Sequence, residues 1–375
     1  MSALFPVYPR LPITLVRAEG TRLHTADGRV ITDLYGAHAV CPLGHGHPAV
    51  VEALSTAVRT LDFYSNSLVM PVQEEAAQAV LGGSAHLAYV HFVNSGTEAN
   101  EAALHLARKR TGRATVVTTA GSFHGRTLGS LSVTGLPGYR GKIPVQVPAD
   151  WHRSLPLGAD DLSVIDETVA CVLIESVESL GGIRVPPPGW LARVEARCRE
   201  VGAVFALDEV QGGVGRLGTW FAHETLGCTP DLVTLAKSLG NGFPVAALVT
   251  TAAMAEGVAA GELGTTFGGG PMACAVVSAV ARTIRDEGLM ARVLDIEARV
   301  RAGLAGLPGV EVRGRGALLG VQTPLSAKAL QAALLERDLL VGTSGQAETI
   351  RLLLPYVVSD DELDRCCAAI AEVLS

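Results

Sequence analysis

The chain has 375 residues, enough for one large domain plus a smaller one around a sizeable core. Hydrophobic residues make up 48% and charged residues 18%, with mean hydropathy +0.33, which implies extensive burial between subunits; yet no apolar stretch reaches the ~20 uncharged residues of a membrane span. A formal net charge of −7 with scattered Lys and Arg argues against nucleic-acid binding, and seven cysteines without a CxxC pair fit a reduced, cytoplasmic protein.

In chain order, LFPVYPRLPITLV (4–16) is broken by prolines and has no basic leader, so it reads as neither a signal peptide nor an anchor. TRLHTADGRVITDL (21–34) predicts a hairpin turning at Asp27-Gly28. Strand-like runs then alternate with helix-like segments: AYVHFV (88–93), ATVVTT (114–119), VACVLIE (169–175), AVFALD (203–208), DLVTLA (231–236) and VAALVT (245–250). That alternation predicts an α/β fold with a mostly parallel, doubly covered sheet. Residues 268–288 predict a long helix, after which the pattern changes to short strands and two-turn helices. The expected organisation is an N-terminal segment, 1–45, packing with a small domain; a large domain, 46–270; and a C-terminal small α+β domain, 271–375.

Three strand ends carry candidate chemistry. TLAKSLGNGFP (234–244) places Lys237 between an apolar run and glycines, where a lysine is either a solvated loop residue or a reagent. AVFAL stops at Asp208 and Glu209, followed by Gln211. AYVHFV runs through Ser95, Gly96 and Thr97 into a helix whose Ala102, Ala103, Leu106 and Ala107 form an apolar stripe. By itself that start is a good N-cap; its free N–H groups and hydroxyls also suit an anion such as phosphate. Ligands in open α/β sheets bind outside the carboxyl ends of the strands. A phosphate cradle, a lone lysine and a buried carboxylate there are the parts that pyridoxal phosphate (PLP) needs. Lys237 is the amine for its aldehyde and afterwards the base, and Asp208 keeps its ring nitrogen protonated.

The motifs GHGHP (44–48), NSGTEANEAAL (94–104), SFHGRTLGS (122–130), LDEVQGGVGRLG (207–218), TLAKSLGNGFP and GTTFGGGP (264–271) make the chain resemble the class III (ornithine-type) aminotransferases, from about residue 10 to the end. Within that class it looks most like the acetylornithine group. The resemblance implies PLP fold type I and a homodimer with active sites at the subunit interface. It implies that Gly96 and Thr97, with Ser95, hold the phosphate; that Phe123 stacks on the ring beside His124; that Asp208 pairs with the ring nitrogen; and that Gln211 contacts the ring hydroxyl. Thr266 is expected to reach the phosphate of the partner subunit. Arg126 is expected to bind the α-carboxylate of the amino donor, and Arg351 of TIRLLLP that of glutamate or 2-oxoglutarate. The implied activity moves the terminal amine of N-acetylornithine, or a related N-acylated diamino acid, to 2-oxoglutarate, giving a semialdehyde and glutamate, in arginine or lysine biosynthesis. Alternatives are an ornithine, 4-aminobutyrate or carrier-linked lysine aminotransferase, or an aminomutase or racemase on the same fold. No metal is expected: His45 and His47 have no third ligand at metal spacing.

Three segments depart from the family pattern. Where relatives read E-P-V-Q-G-E-G-G, this chain reads ESVESLGG (175–182), with Glu178 for the Gln and Leu180 for the second Glu. Gly270 replaces an Asn and Leu217 a Thr. The missing Glu is the family's partner for the arginine at 351 while the donor is bound. Either Glu178 takes over that role, or Arg351 stays available to an anion.

Overall fold

The computed structural model describes residues 3–142 and 147–375. Three short strands, β1 (Leu15–Glu19), β2 (Arg22–Thr25) and β3 (Val30–Asp33), open the chain, and β2 and β3 form the expected hairpin, with Leu23 opposite Ile31. Strand β1 lies outside the expectation, and its largely exposed LVRAE carries no burial pattern. Helices α1 (Pro48–Thr60) and α2 (Pro71–Leu81) follow, each beginning at a proline, whose missing N–H costs nothing in a first turn.

The main sheet comprises β4 (Leu87–Val93), β5 (Thr115–Thr119), β6 (His152–Leu155), β7 (Val169–Glu175), β8 (Val204–Asp208), β9 (Leu232–Leu235) and β10 (Ala246–Thr251). Helix α3 (Gly96–Thr111) leaves β4, and α4 (Trp190–Val201) joins β7 to β8. Its seven strands run in the order β4-β10-β9-β8-β7-β5-β6. Strand β7 is buried at every residue, as an unbroken apolar run in a covered sheet should be. Strand β10 alone is antiparallel, pairing with both β4 and β9. Residues 236–245 are too few for the crossover a parallel return needs, so the chain doubles back. The edge strand β6, HRSL, was not anticipated because it has no apolar run.

Helix α5 (Pro271–Asp286) fills the predicted long segment and packs against α1 and α2. Next come α6 (Leu289–Gly303), β11 (Glu311–Arg315), β12 (Leu318–Gln322), α7 (Ala327–Leu335), β13 (Leu339–Leu340), β14 (Gly342–Thr343), β15 (Thr349–Leu352) and α8 (Asp360–Leu374). Strands β11, β12, β15 and β14 form an antiparallel sheet, while β13 joins the N-terminal hairpin by pairing in parallel with β3. Ser359 and Glu362 close a capping box at the start of α8, which packs on α6 and α7. All seven cysteines are buried and unpaired, Cys366 and Cys367 in the core face of α8. No helix among the described residues is long and apolar enough to cross a membrane.

Candidate active site

The carboxyl ends of β4, β7, β8 and β9 converge on a pocket of about 430 Å3. Asp208, the last residue of β8, is 4% exposed, and its carboxylate is fully oriented by the chain. Oδ2 accepts from Asn100 Nδ2 at 2.8 Å and meets His124 Nδ1 at 2.8 Å; Oδ1 accepts from the Val210 N–H at 3.0 Å. Asn100 is itself fixed, donating to the His124 carbonyl at 2.7 Å and accepting from Thr234 Oγ1 at 2.8 Å. With its orientation set this way, Asp208 can hold a positive charge placed in the pocket.

Lys237 follows β9 on the same wall, in a left-handed conformation with φ 45°. Burial lowers its pKa to about 8, outweighing the opposing pull of Asp208 and Glu175. An amine poised there is a competent base near neutral pH. Glu175 ends β7 and lines the pocket, taking the Phe123 N–H at 2.8 Å. Burial, followed by the charge of Asp208, pushes its pKa well above the usual carboxylate range.

Helix α3 points its N-terminus at the pocket. Ser95 caps it, accepting from Glu98 N at 3.4 Å and donating to the Glu98 carboxylate at 3.0 Å. The N–H groups of Gly96 and Thr97 find no acceptor among the described residues, leaving a free anion cradle. A Cβ at Gly96 would lie 2.9 Å from Val210 Cγ1, so the tight turn requires glycine. Phe123 and Gln211 line the same pocket, and Gln211 Oε1 accepts from Ser179 Oγ at 2.9 Å. The pocket thus offers a stacking ring, an anion cradle, a carboxylate for a ring nitrogen and an amine, and these residues fit PLP. The ring of His124 is buried behind Asp208, and its Nε2 has no partner among the described residues. It orients the carboxylate.

Arg126 is exposed at the mouth, its guanidinium 5.2 Å from the Tyr139 ring centre and 5.9 Å from that of Tyr8. Arg351, on β15, is 2% exposed. It donates to the Thr343 carbonyl at 2.7 Å, Ser179 Oγ at 3.1 Å and Tyr35 Oη at 2.7 Å, and it forms no ion pair with a carboxylate among the described residues. Glu178 is engaged elsewhere: wholly buried, it takes Arg184 Nε at 2.7 Å and a second bond from Nη2, along with the Gly121 N–H at 3.2 Å. The chain thus brings Glu178 to Arg184 instead of Arg351. Leu180 is half-buried outside the pocket lining, its carbonyl held by Gly345 N at 2.7 Å. Thr266 is exposed and away from this chain's own pocket. His45 bonds to Asp33 at 3.1 Å and His47 caps α1, accepting from Ala49 N at 3.3 Å.

Glu175 and Asn100 were missed by the sequence reading. Glu175 ends an apolar run just as Asp208 does, so the strand-end rule already pointed to it, whereas Asn100 gave no signal inside a helix.

The aminotransferase class-III family model matches residues 6–374. The chain belongs to the class III aminotransferases. It is 42% identical to an acetylornithine aminotransferase of Streptomyces coelicolor over 98% of this chain and 91% of that one, and 40% identical to one of Methanopyrus kandleri, covering 98% and 95%. Among solved structures it resembles the ornithine aminotransferase of Toxoplasma gondii, whose active site holds PLP at partial occupancy, with a TM-score of 0.91, 26% identity and coverage of 99% and 92%. The chain is therefore a PLP-dependent aminotransferase of fold type I, acting on an amino donor and a keto acid.

Proposed function

We propose that this aminotransferase moves the terminal amine of N-acetylornithine, or a closely related N-acylated diamino acid, to 2-oxoglutarate in arginine biosynthesis. The names of its relatives support the donor. The observation that carries the reading is the pairing of Lys237, its pKa lowered to about 8 on a wall shared with Asp208, with a second anchor in Arg351, a buried guanidinium that forms no ion pair among the described residues. Bound PLP supplies an electron sink for the carbon that carries the amine. With the cofactor bound, Lys237 would take the proton from that carbon as the base, and Asp208 would hold the proton on the ring nitrogen. Arg126 at the mouth binds the donor's α-carboxylate, and Arg351 that of the keto acid. Offering a panel of amino donors with 2-oxoglutarate and measuring glutamate tests this: N-acetylornithine should be among the fastest, and no glutamate from any N-acylated diamino acid would overturn it.

We further propose a homodimer with shared sites, working in the cytoplasm, in which 1–45 and 271–375 make a smaller unit beside 46–270. The pairing of β3 with β13 supports that division. An exposed apolar face supports the dimer: Phe267, 65% exposed, packs against Phe63 with ring centres 5.2 Å apart, beside Tyr64, Leu68 and a 97% exposed Val69. Thr266, exposed and next to Phe267, supports a role for this residue toward a neighbouring subunit. Mixing Lys237→Ala with Thr266→Ala subunits should restore one intact site per hybrid dimer; no recovery in confirmed hybrids would remove Thr266 from that role.

A further inference from the structure

A buried guanidinium usually rests on a carboxylate, because an uncompensated charge is costly to desolvate. Arg351 instead rests on a carbonyl, a serine hydroxyl and a phenol, all neutral. Of the five N–H donors of a guanidinium, Nε gives its one to Thr343, Nη1 one to Ser179 and Nη2 one to Tyr35, which leaves one N–H on each terminal nitrogen. Such a fork can take a carboxylate without first breaking any of its bonds to the chain.

The phenol is itself oriented. Because the Tyr35 oxygen accepts from Arg351, its own proton must go elsewhere, and His38 Nδ1 lies 2.6 Å away. Desolvation, followed by repulsion from Arg351 and Lys237, lowers the His38 pKa and keeps its ring neutral, and in the tautomer with the proton on Nε2 its Nδ1 accepts from the Tyr35 hydroxyl.

His38 reaches this place at a backbone cost. Gly36, Ala37, His38 and Ala39 all have positive φ, at 53°, 49°, 70° and 63°. For the three non-glycine residues that conformation costs about 1–2 kcal/mol each, and it persists only where the surroundings impose it. Here they do: the Asp33 carboxylate takes the N–H groups of Tyr35 at 3.0 Å and Ala37 at 2.9 Å, and the Ala39 carbonyl accepts from Arg216 Nη2 at 3.3 Å and Ser238 Oγ at 3.2 Å. The turn ends beside Val40, which lines the pocket.

We infer that Tyr35 and His38 are positioning residues for the keto acid: His38 turns the Tyr35 hydroxyl so that its oxygen holds the charged Arg351 fork in place and open, where a carboxylate of the chain would compete with substrate. The inference rests on Arg351 being the keto-acid anchor. It also answers the question left by Leu180: among the described residues none has taken the place of the missing carboxylate, and the resting partners are the Ser179 and Tyr35 hydroxyls, which have no need to leave.

The test uses the PLP-loaded enzyme and glutarate, a dicarboxylate that cannot react, with affinity measured by calorimetry and the donor half-reaction by single-turnover absorbance. Tyr35→Phe keeps the ring over the guanidinium and removes the hydroxyl; glutarate should weaken about five- to tenfold, with the donor half-reaction within about twofold of the parent. His38→Ala should weaken glutarate about threefold and add nothing in the Tyr35→Phe background. His38→Asn, which offers an acceptor oxygen and tolerates positive φ, should restore parental affinity. Unchanged glutarate affinity in Tyr35→Phe, with affinity lost in Arg351→Ala, overturns the positioning role alone. Affinity that survives Arg351→Ala removes the anchor as well. If Tyr35→Phe slows the donor half-reaction by as much as it weakens glutarate, the pair merely supports the fold and the inference fails.

Discussion

At the Asp208 end of the pocket, a carboxylate is held by Asn100, His124 and a backbone N–H, with a lysine on the same wall. At the other end of the chain of contacts that runs from pocket-lining Gln211 through Ser179, Arg351 lies equally deep but donates only to neutral groups, Tyr35 Oη, Ser179 Oγ and the Thr343 carbonyl. The difference follows from what each end must hold. A cofactor that stays bound rewards a charge locked in one orientation. A substrate that arrives and leaves in every cycle is served by a charge that is held firmly and left unneutralised, since a resident carboxylate would have to be displaced each time.

The largest effect should come from removing the amine. Lys237→Ala is expected to lose the visible absorbance of bound cofactor and to slow turnover roughly 1,000-fold or more; near-parental turnover would end the assignment of this wall to catalysis. Asp208→Ala should retain some cofactor yet lose about 3 kcal/mol or more of transition-state stabilisation, on the order of 100-fold in kcat, because an uncharged ring nitrogen is a weaker electron sink. A parental kcat in that variant would mean that its network of Asn100 and His124 orients nothing of consequence.

A smaller effect is expected from pH. With its pKa lowered to about 8, Lys237 is protonated below that value and cannot accept a proton, so the donor half-reaction should rise with pH and level off above about 8. A single-turnover pH profile that is flat from 6 to 9 would show that another group takes the proton. The smallest effect should follow Leu180→Glu, which restores a carboxylate on the loop that carries Ser179. It should compete for Arg351 and weaken 2-oxoglutarate about three- to tenfold. If both half-reactions stay unchanged, position 180 does not reach the fork, and the contrast between the two ends does not depend on that loop.

The strand-end residues were legible in the sequence because an apolar run that stops at Asp208, or a strand that ends before Lys237, records both burial and placement. The helix start at Ser95-Gly96-Thr97 was legible for the same reason, since capping chemistry is local. Partnerships were not. Glu178 stands two residues before Leu180, and nothing in ESVESLGG reveals that an isolated bridge between Glu178 and Arg184 turns its carboxylate away from Arg351. Tyr35 and His38 were silent because their meaning depends on a left-handed turn that Ala-His-Ala does not favour and that Asp33 and Arg216 impose from elsewhere in the chain. Likewise, the direction of β10 was set by the length of a connection and left no trace in the apolar run itself.

The placement of β4 at the edge of the main sheet bears on how the protein is made. Among the described residues its only strand partner is β10, so β4 cannot join the sheet, nor the turn at residues 94–97 be fixed from its strand side, until residue 251 has been synthesised. Contacts this distant in sequence form late. The phosphate seat is therefore among the last parts of the large sheet to be completed on a growing chain, and a nascent enzyme can load its cofactor only after nearly the whole sheet is in place.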